Sequence, residues 1–484
     1  MLKTEIHNRP EIFTIWSDEI ERRIDPSFYR PQFKELEKIF TKGKYKIKTL
    51  KDIAEKIASG ATPLSGGNAY TSKQDGIPFI RSGDIRADKT IAFDDLLYIK
   101  KEIYQIKLKS SQLKKGDVLI AIVGATIGQV SLYDYEREAN INQAIALVRV
   151  KKDINPEYVK EYLLSNIGQN QLNKIKRPVA RANINLDEVG SIKIPIPSIT
   201  IQNEIVAIMQ KAYEEKRQKE TEAQKLLDSI DDYVLGELGI KIPEVKNEMI
   251  FVVESDEIED KRIDPKAYLE KPKAILKSIR GSKYKTKELS KIVIESIAGE
   301  WGSDPLSTEN MEGYVLCNVL RNTNFDNQFN LNFDNVAQRL MVKTKFNKIR
   351  LKLGDILIEK SGGSPVQPVG RVALIKEDKQ EYAFSNFLQC FRINQEECLP
   401  EYLFAYLKAI YGLGYMEYVQ NQTTGIKNLI MEEYLSIPIP FPPLLLQNKI
   451  AEGASFRREK AKKLQQEAEE LLEQAKRKVE EIIE

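Results

Sequence analysis

Histidine is nearly absent: the 484 residues contain one, His7. Catalysis that shuttles protons through imidazole is therefore not expected, nor are metal sites built on it, although carboxylate chemistry remains open. Cysteine is scarce as well. Cys317, Cys390 and Cys398 have the spacing of neither a disulfide framework nor a zinc site, so a reducing cytoplasm is the expected home. There is no run of eighteen apolar residues, and the opening MLKTEIHNRPEIF lacks the apolar stretch of a signal peptide, so no membrane association is expected. The chain has no G-x-x-x-x-G-K-[ST] loop to cradle phosphates and no G-x-G-x-x-G after a strand. It also lacks N-P-P-[YF] and D-P-P-Y, the tetrapeptides with which amino-methyltransferases hold a flipped base. With 25 glycines and 20 prolines, collagen-like and low-complexity readings fail.

What is present is a globular composition. Hydrophobic residues make up 42% and charged residues 30%, enough for sizeable cores across two to four domains. The net charge of +3 is unevenly spread. Residues 31–200 carry 28 Lys and Arg against 19 Asp and Glu, a balance of +9, whereas residues 201–240 stand at −4 and residues 271–440 at +3. A basic first block suits a polyanionic partner.

The chain repeats itself. FTIWSDEIERRIDP, Phe13 to Pro26, returns as FVVESDEIEDKRIDP, Phe251 to Pro265. LKKGDVLI from Leu113 returns as LKLGDILI from Leu351, and PEYVKEYL from Pro156 as PEYLFAYL from Pro400. IPIP occurs at 194–197 and 437–440, and QNEI from Gln202 matches QNKI from Gln447. The order is kept and the offset drifts only slightly around 240, far too long for a solenoid; a module of domain size has been duplicated. The runs VLIAIVG and AIALVRV read as buried strands. PEYVKEYLLSNIG and PEYLFAYLKAIYG read as helices, each stopped by its glycine.

Each copy ends in a long proline-free stretch, 198–242 and 444–484. Ile450, Ala454, Ala461, Leu464, Ala468, Leu471, Ala475, Val479 and Ile482 recur at three, four and seven, as in a coiled-coil seam. Ile201, Ile205, Ile208, Ala212, Ala223, Leu226, Ile230 and Tyr233 do so less regularly. Such a stripe needs cover; the other long helix is the expected partner, and packing on its own module is the alternative. The expected fold class is α/β (α+β), with domains at 1–199 and 241–443 and spacer helices at 200–240 and 444–484.

A metal nuclease would need converging carboxylates and a lysine after a strand. Asp355, Glu359 and Lys360 in LGDILIEK are the nearest set, but the first repeat keeps only Asp117 there, which points to a turn aspartate in both. A stand-alone nuclease and a coiled-coil scaffold remain the rival readings. Several glycine-punctuated loops carry good nucleic-acid ligands. Arg can bind guanine bidentately, Asn and Gln adenine, and glycine amides approach phosphates closely. The candidates in the first repeat are Thr62, Arg81, Ser82, Thr126, Gln129, Lys174, Arg177, Arg181 and Asn183; in the second they are Arg321, Asn322, Lys360, Ser361, Gln367, Gln422, Thr423, Thr424 and Lys427. The repeats agree in their apparent cores and differ most in these loops, as a two-site reader requires.

The order SGATP, GIPFIRSGDI, LKKGDVLIAIVGATIGQ, INQAIALVRV, PEYVKEYL and IPIPSITIQNEI, followed by a long helix, resembles the specificity subunit of Type I restriction-modification systems, in both halves of the chain. The resemblance implies two target recognition domains held apart by antiparallel spacer helices. Each domain would read one half of an interrupted double-stranded DNA sequence. It implies partners too: methyltransferase subunits, expected as two copies, which use S-adenosylmethionine to methylate adenine, and restriction subunits that translocate and cut with ATP and Mg2+. The specificity subunit itself would bind no cofactor or metal and carry no catalytic residue.

Overall fold

The strand Asp117–Ala121 is buried along its whole length and forms the middle of an antiparallel sheet. This is the VLIAIVG run of the sequence, and its neighbour Ile145–Val150 is the AIALVRV run. The computed structural model of the chain describes residues 13–20, 23–63, 68–86, 90–177, 182–245, 250–258, 265–305, 312–362, 364, 366–379, 381–423 and 425–484. His7, Arg181 and Thr424 lie outside them, as does the Thr423 side chain.

Two units are present. The first comprises residues 1–219 and 466–484, the second residues 220–465. In the first, a four-stranded antiparallel sheet has the order Ala54–Ser59, Ile145–Val150, Asp117–Ala121, Val130–Tyr133. A three-stranded sheet sets Ile77–Ile80 antiparallel to Leu97–Ile99 and parallel to Asn140–Ile141. Lys46–Thr49 pairs with Lys193–Ile196. The second unit repeats this plan. Its four-stranded sheet is Val293–Ala298, Leu388–Ile393, Ile356–Glu359, Val372–Leu374; its three-stranded sheet is Ala337–Val342, Tyr314–Leu320, Tyr382–Phe384; and Thr286–Glu288 pairs with Pro438–Pro440. It adds a further small sheet, Ser361–Gly362, Ile426–Leu429 and Gln420–Thr423. The large sheets are antiparallel with the helices set apart from them, so the class is α+β.

The duplicated motifs perform duplicated tasks. In PEYVKEYL, the Tyr158 and Tyr162 hydroxyls donate to the carbonyls of Pro195 and Lys193 at 2.6 and 2.8 Å; in PEYLFAYL, Tyr402 and Tyr406 donate to Pro440 and Pro438 at 2.7 and 2.8 Å. Each pair of buried phenols thereby satisfies its polar ends on the IPIP strand. The following glutamine locks the start of the long helix. Gln202 donates to Pro197 O and accepts from Asn155 N, both at 2.9 Å; Gln447 donates to Pro442 O at 3.0 Å and accepts from Leu399 N at 2.9 Å.

One helix differs from expectation. Pro156–Leu164 ends at Ser165, whose Oγ accepts from Gly168 N and opens a second helix, Asn166–Ile175. Gly168 is thus an interior residue rather than a stop. It is glycine because a Cβ there would lie 2.2 Å from Tyr162 O. In the second unit Pro400–Gly412 does end at its glycine, and Gly414 follows at φ +78°.

The long helices are Ile199–Leu238 and Leu444–Ile483, 40 residues each. Both units contain a piece of each helix, and within both the pieces pair antiparallel. In the first, Lys219 Nζ reaches Glu467 at 2.6 Å; in the second, Glu222 pairs with Lys460 at 3.1 Å, Tyr233 OH donates to Lys449 O at 3.2 Å and Glu237 pairs with Lys449 at 3.2 Å. Ala223, Ala461 and Leu464 form a small apolar cluster of their own. Toward their ends the stripes join the cores: Ile205, Met209, Val479 and Ile483 in the first unit, Ile230, Val234, Ile450 and Ala454 in the second. Helix-on-helix cover and packing on a module therefore both occur, at different points of one stripe. Ile483 rather than Ile482 is the fully buried last residue, because the seam advances by four from Val479.

Candidate nucleic-acid interface

Both units build the same backbone frame where the central strands run out. In the first, Ile122 N donates to Ala144 O and Ile122 O accepts from Ile184 N, each at 2.9 Å, while Val123 bridges to Asn183. In the second, Lys360 N donates to Phe387 O at 2.9 Å, Lys360 O accepts from Leu429 N at 2.8 Å, and Ser361 pairs with Asn428. Equal hydrogen bonds thus carry unequal side chains: Ile122, Val123 and Asn183 against Lys360, Ser361 and Asn428. Ser361 Oγ donates to Asn428 Oδ1 at 2.8 Å.

A second loop joins this frame. Asn142 N donates to Ile80 O at 3.0 Å, and Ser385 N to Leu320 O at 2.8 Å. Gly60 and Gly299 press against these turns: a Cβ would lie 1.7 Å from Ile141 O in one case and 2.1 Å from Ser385 O in the other. Only glycine allows that approach. It brings Thr62 to Gln143, whose side chains hydrogen-bond, and it sets Trp301 beside Ser385. The turn after the strand completes the set. Arg81 N donates to Asp84 Oδ2 at 2.7 Å, and Arg321 N to Asn324 Oδ1 at 2.9 Å. Asn322 Nδ2 reaches Ser361 O at 3.3 Å, tying this turn to the frame.

The one-residue change from Asp84 to Asn324 alters the electrostatics. Arg81 Nη2 meets Asp84 Oδ1 at 2.9 Å, and that hydrogen bond holds the guanidinium above its usual range. Among the described residues Arg321 has no such carboxylate; its Nη2 donates to Asn335 O at 3.3 Å, and its Nε is buried without a hydrogen-bond partner. Arg321 opens into a cleft of about 850 Å³ lined by Gly299, Trp301, Asn322, Ser385 and Phe387. Ser385 Oγ is likewise buried and unpartnered, as is Nε of Arg339, which stacks 4.2 Å over the Trp301 ring. Half of the six buried side-chain atoms without a partner among the described residues thus gather around this cleft. Orphaned polar groups beside an aromatic face suit a ligand that offers both edges and planes, as a nucleobase does.

The remaining candidates divide. Thr126 caps its own turn, its Oγ1 donating to Val123 O at 3.4 Å. Gln129 occupies the place of Arg371: Ala121 N donates to Gln129 O as Glu359 N does to Arg371 O. Its Oε1 is buried and without a partner among the described residues. Lys427 sends its Nζ to Gln367 O at 3.1 Å and is buried, while Gln422 is exposed on the adjoining hairpin. Arg177 lies next to the frame, its N donating to Asn183 O, but its guanidinium is paired with Glu188 at 2.9 Å. Lys174 stands 4.8 Å over the Phe28 ring and 3.9 Å from Glu37, so packing accounts for it. Asn142, Gln143, Trp301, Ser385, Asn386 and Asn428 were not among the sequence candidates. The available signal was the polar pair, Asn142–Gln143 and Ser385–Asn386, directly before an apolar strand in both repeats.

The carboxylates of LGDILIEK do not converge. Asp355 accepts from Lys352 N at 2.9 Å and pairs with Arg392, as Asp117 accepts from Lys114 N at 2.7 Å and pairs with Arg149. Both are turn aspartates, following glycines at φ +84° and +89°. Glu359 is buried against Arg371, Nε to Oε2 at 2.7 Å, and Arg371 also donates to the carbonyls of Asn322 and Phe325. That pair braces the Asn322 turn. Among the described residues no three Asp, Glu, His or Cys side chains gather to hold a metal.

Comparison with known proteins agrees with this duplicated design. The family model for the Type I restriction modification DNA specificity domain matches residues 42–226 and again 284–470. A stretch of 134 residues is 36% identical to the Type I restriction enzyme EcoBI specificity subunit of Escherichia coli, covering 28% of each protein. A stretch of 159 residues is 28% identical to the Type I restriction enzyme StySPI specificity subunit of Salmonella potsdam, covering 30% of this chain and 32% of that one. The matches therefore span about a third or less of these curated relatives. A solved structure described as the basis of complex assembly and conformational transition of the type I R-M system aligns over 91% of this chain and 96% of its own, with a TM-score of 0.53 and 17% identity, a likeness of fold. Since the family model covers most of the chain, once in each repeat, the chain belongs to the Type I restriction-modification DNA specificity family.

Proposed function

We propose that this chain is the sequence-reading subunit of a Type I restriction-modification complex. It reads a bipartite double-stranded DNA target, one half with each unit, and directs adenine methylation and ATP-dependent restriction by partner subunits. The observation that carries the reading is the shared frame: hydrogen bonds at Ile122 and Lys360 are kept, while the side chains displayed there differ. One scaffold with two displays is what two unlike half-sites require.

The chemistry then belongs to the partners. S-adenosylmethionine, ATP and Mg2+ would be held by methyltransferase and restriction subunits, and this chain would be non-catalytic. Two methyltransferase subunits fit a duplicated chain. The duplicated opening segments leave Trp16 and Ile24 exposed in one copy and Val252 in the other, apolar surface of the kind that partners cover. No helix among the described residues is long and apolar enough to cross a membrane. The three free, buried cysteines suit a cytoplasmic setting.

Mapping methylated adenines in cells that carry the chain with its methyltransferase subunit tests the proposal. The expected result is one interrupted sequence. Four residues inserted after Lys219 would add ~6 Å of helix. The gap should then grow by one or two base pairs, with both half-sequences unchanged. An uninterrupted target, or Mg2+-dependent DNA cleavage by the purified chain alone, would overturn the reading.

A further inference from the structure

The duplication supplies an internal comparison at a place remote in sequence from the reading loops. In the first unit, Lys160 and Tyr213 face each other across two helices, Nζ lying 5.7 Å from the ring centroid. In the second, the same two helical positions carry Phe404 and Arg458, with the guanidinium 5.1 Å from the ring. Cation and ring have exchanged helices, and the contact survives. The third member has not. Glu161, buried in the first unit, pairs with Lys160 at 2.7 Å and accepts from Tyr213 OH at 2.9 Å. Its counterpart in the second unit is Ala405.

Arg458 is therefore a cation without its carboxylate. Its Nη2 is buried with no hydrogen-bond partner among the described residues. Asp231, Asp326 and Glu459 act on it through space, but each is engaged elsewhere. Asp231 takes Lys408 at 2.9 Å, Asp326 takes the backbone N–H groups of Gln328 and Asn330 at 2.8 Å, and Glu459 takes Ser455 Oγ at 3.0 Å. Burial pushes the guanidinium below its usual range, and Lys376 beside it is pushed down for the same reason. The two cations border a pocket of about 300 Å³ whose apolar walls include Phe329, Leu331, Phe333 and Phe404; Asn330 also lines it, as do Lys379 and Glu377, which pair with each other at 3.1 Å. Phe329 is the one described non-glycine residue at positive φ, +67°, a conformation that costs energy in a bulky residue.

We propose that this pocket of the second unit binds a carboxylate carried on an apolar body, which meets Arg458 and Lys376 from outside as Glu161 meets Lys160 from within the first unit. The internal copy identifies the missing group as a carboxylate. The aromatic walls and the volume ask for an attached ring or short aliphatic chain rather than a bare ion. A free acid and an acidic side chain flanked by apolar residues both present this carboxylate; the chemistry recognised is the same.

The test uses the full chain and isothermal titration at constant ionic strength, with benzoate, hexanoate and the capped peptide acetyl-Phe-Glu-Phe-amide as probes, and chloride and inorganic phosphate as controls. Saturable binding of at least one carboxylate probe and none of phosphate is expected. Benzoate binding more tightly than the peptide assigns the site to a free acid, and the reverse order assigns it to a protein side chain. Arg458→Gln should weaken the preferred probe about tenfold, as loss of a charge-assisted hydrogen bond does. Ala405→Glu should fill the site internally, abolish binding and raise Tm. If that variant does not fold, Arg458→Gln alone decides. Absence of saturable carboxylate binding, equal binding of phosphate, or unchanged affinity in Arg458→Gln would overturn the proposal.

Discussion

Asp117 receives both Nε and Nη2 of Arg149, at 2.8 and 2.7 Å, while its Oδ2 also accepts Lys114 N. Asp355 and Arg392 repeat the arrangement at 2.9 and 3.3 Å. Each aspartate is buried and joins a glycine turn to the neighbouring strand. Replacing Asp117 by Asn would leave the mostly buried Arg149 guanidinium without its paired carboxylate, a loss of ~3 kcal/mol; Asp355→Asn should cost less, because Arg392 keeps Glu295 at 2.9 Å. Asp117→Asn and Asp355→Asn should each lower the urea midpoint, and hydrogen exchange should locate the loosening in the unit that carries the change. Neither variant should gain or lose DNA cleavage. Equal stability of Asp355→Asn and the parent chain would remove the structural role assigned to this residue.

The unequal arginines predict unequal readers. Arg81 is neutralised by Asp84, whereas Arg321 faces its cleft with Asn324 in that place. Arg321→Ala should cost roughly 1–3 kcal/mol of discrimination at one base of the second half-site, if the guanidinium reads a base edge. If it holds a phosphate instead, affinity should fall alike for all sequences and the salt slope should drop by about one. Binding measured across salt with a set of single-base target variants separates the two. Arg81→Ala should act less through charge and more through loss of its turn. No change on either measure would take Arg321 out of the interface.

The parts of this architecture that could be read from sequence are those set by neighbours along the chain. Lys-x-Gly-Asp before an apolar run is a turn entering a buried strand, and both copies are. Seam residues at three and four form the buried stripes of the long helices. The break at Ser165 was hidden because a cap depends on one hydroxyl reaching Gly168 N, which competes with simple continuation of the helix. Trp301, Ser385 and Asn142 escaped because their meaning arises from Gly299 and Gly60 meeting turns more than eighty residues away. The exchange of Lys160 and Tyr213 for Phe404 and Arg458 is invisible until two helices are seen in contact.

The cysteines make a pH prediction. Burial pushes the Cys317 thiol up to about 11 and Cys398 up to about 12, and raises Cys390 well above the ordinary thiol value. The folded chain therefore keeps these protons at a pH where the unfolded chain releases them. The contribution is fully present below about 9 and is lost as pH rises from about 9 toward 12. Denaturant midpoints should fall across that window. At pH 8 an aromatic disulfide reagent should label none of the three quickly in the native chain and all three after unfolding. Rapid native labelling of Cys317 would contradict its burial.

The ends of the long helices predict tolerance of a circular permutation. Lys283 N donates to Leu238 O at 3.0 Å just past the end of the first long helix, and Gly239 at φ +72° lets the Lys283 side chain lie against it. Lys44 N donates to Glu484 O at 3.3 Å at the end of the second, with Gly43 alongside. The same helix-end contact is thus made in both units. In the second unit, residues 239–282 connect the two contacting points covalently; a link from Glu484 to Met1 would supply a covalent connection of the same kind in the first. Joining Glu484 to Met1 through a short flexible linker, and opening the chain after Val245, should convert one arrangement into the other and retain both cores. Far-UV circular dichroism and a Tm within a few degrees of the parent are expected, together with an unchanged methylated sequence in the presence of the methyltransferase subunit. A permuted chain that aggregates, or that methylates only one half-sequence, would show that the helix-end contact does not suffice to hold the first unit together.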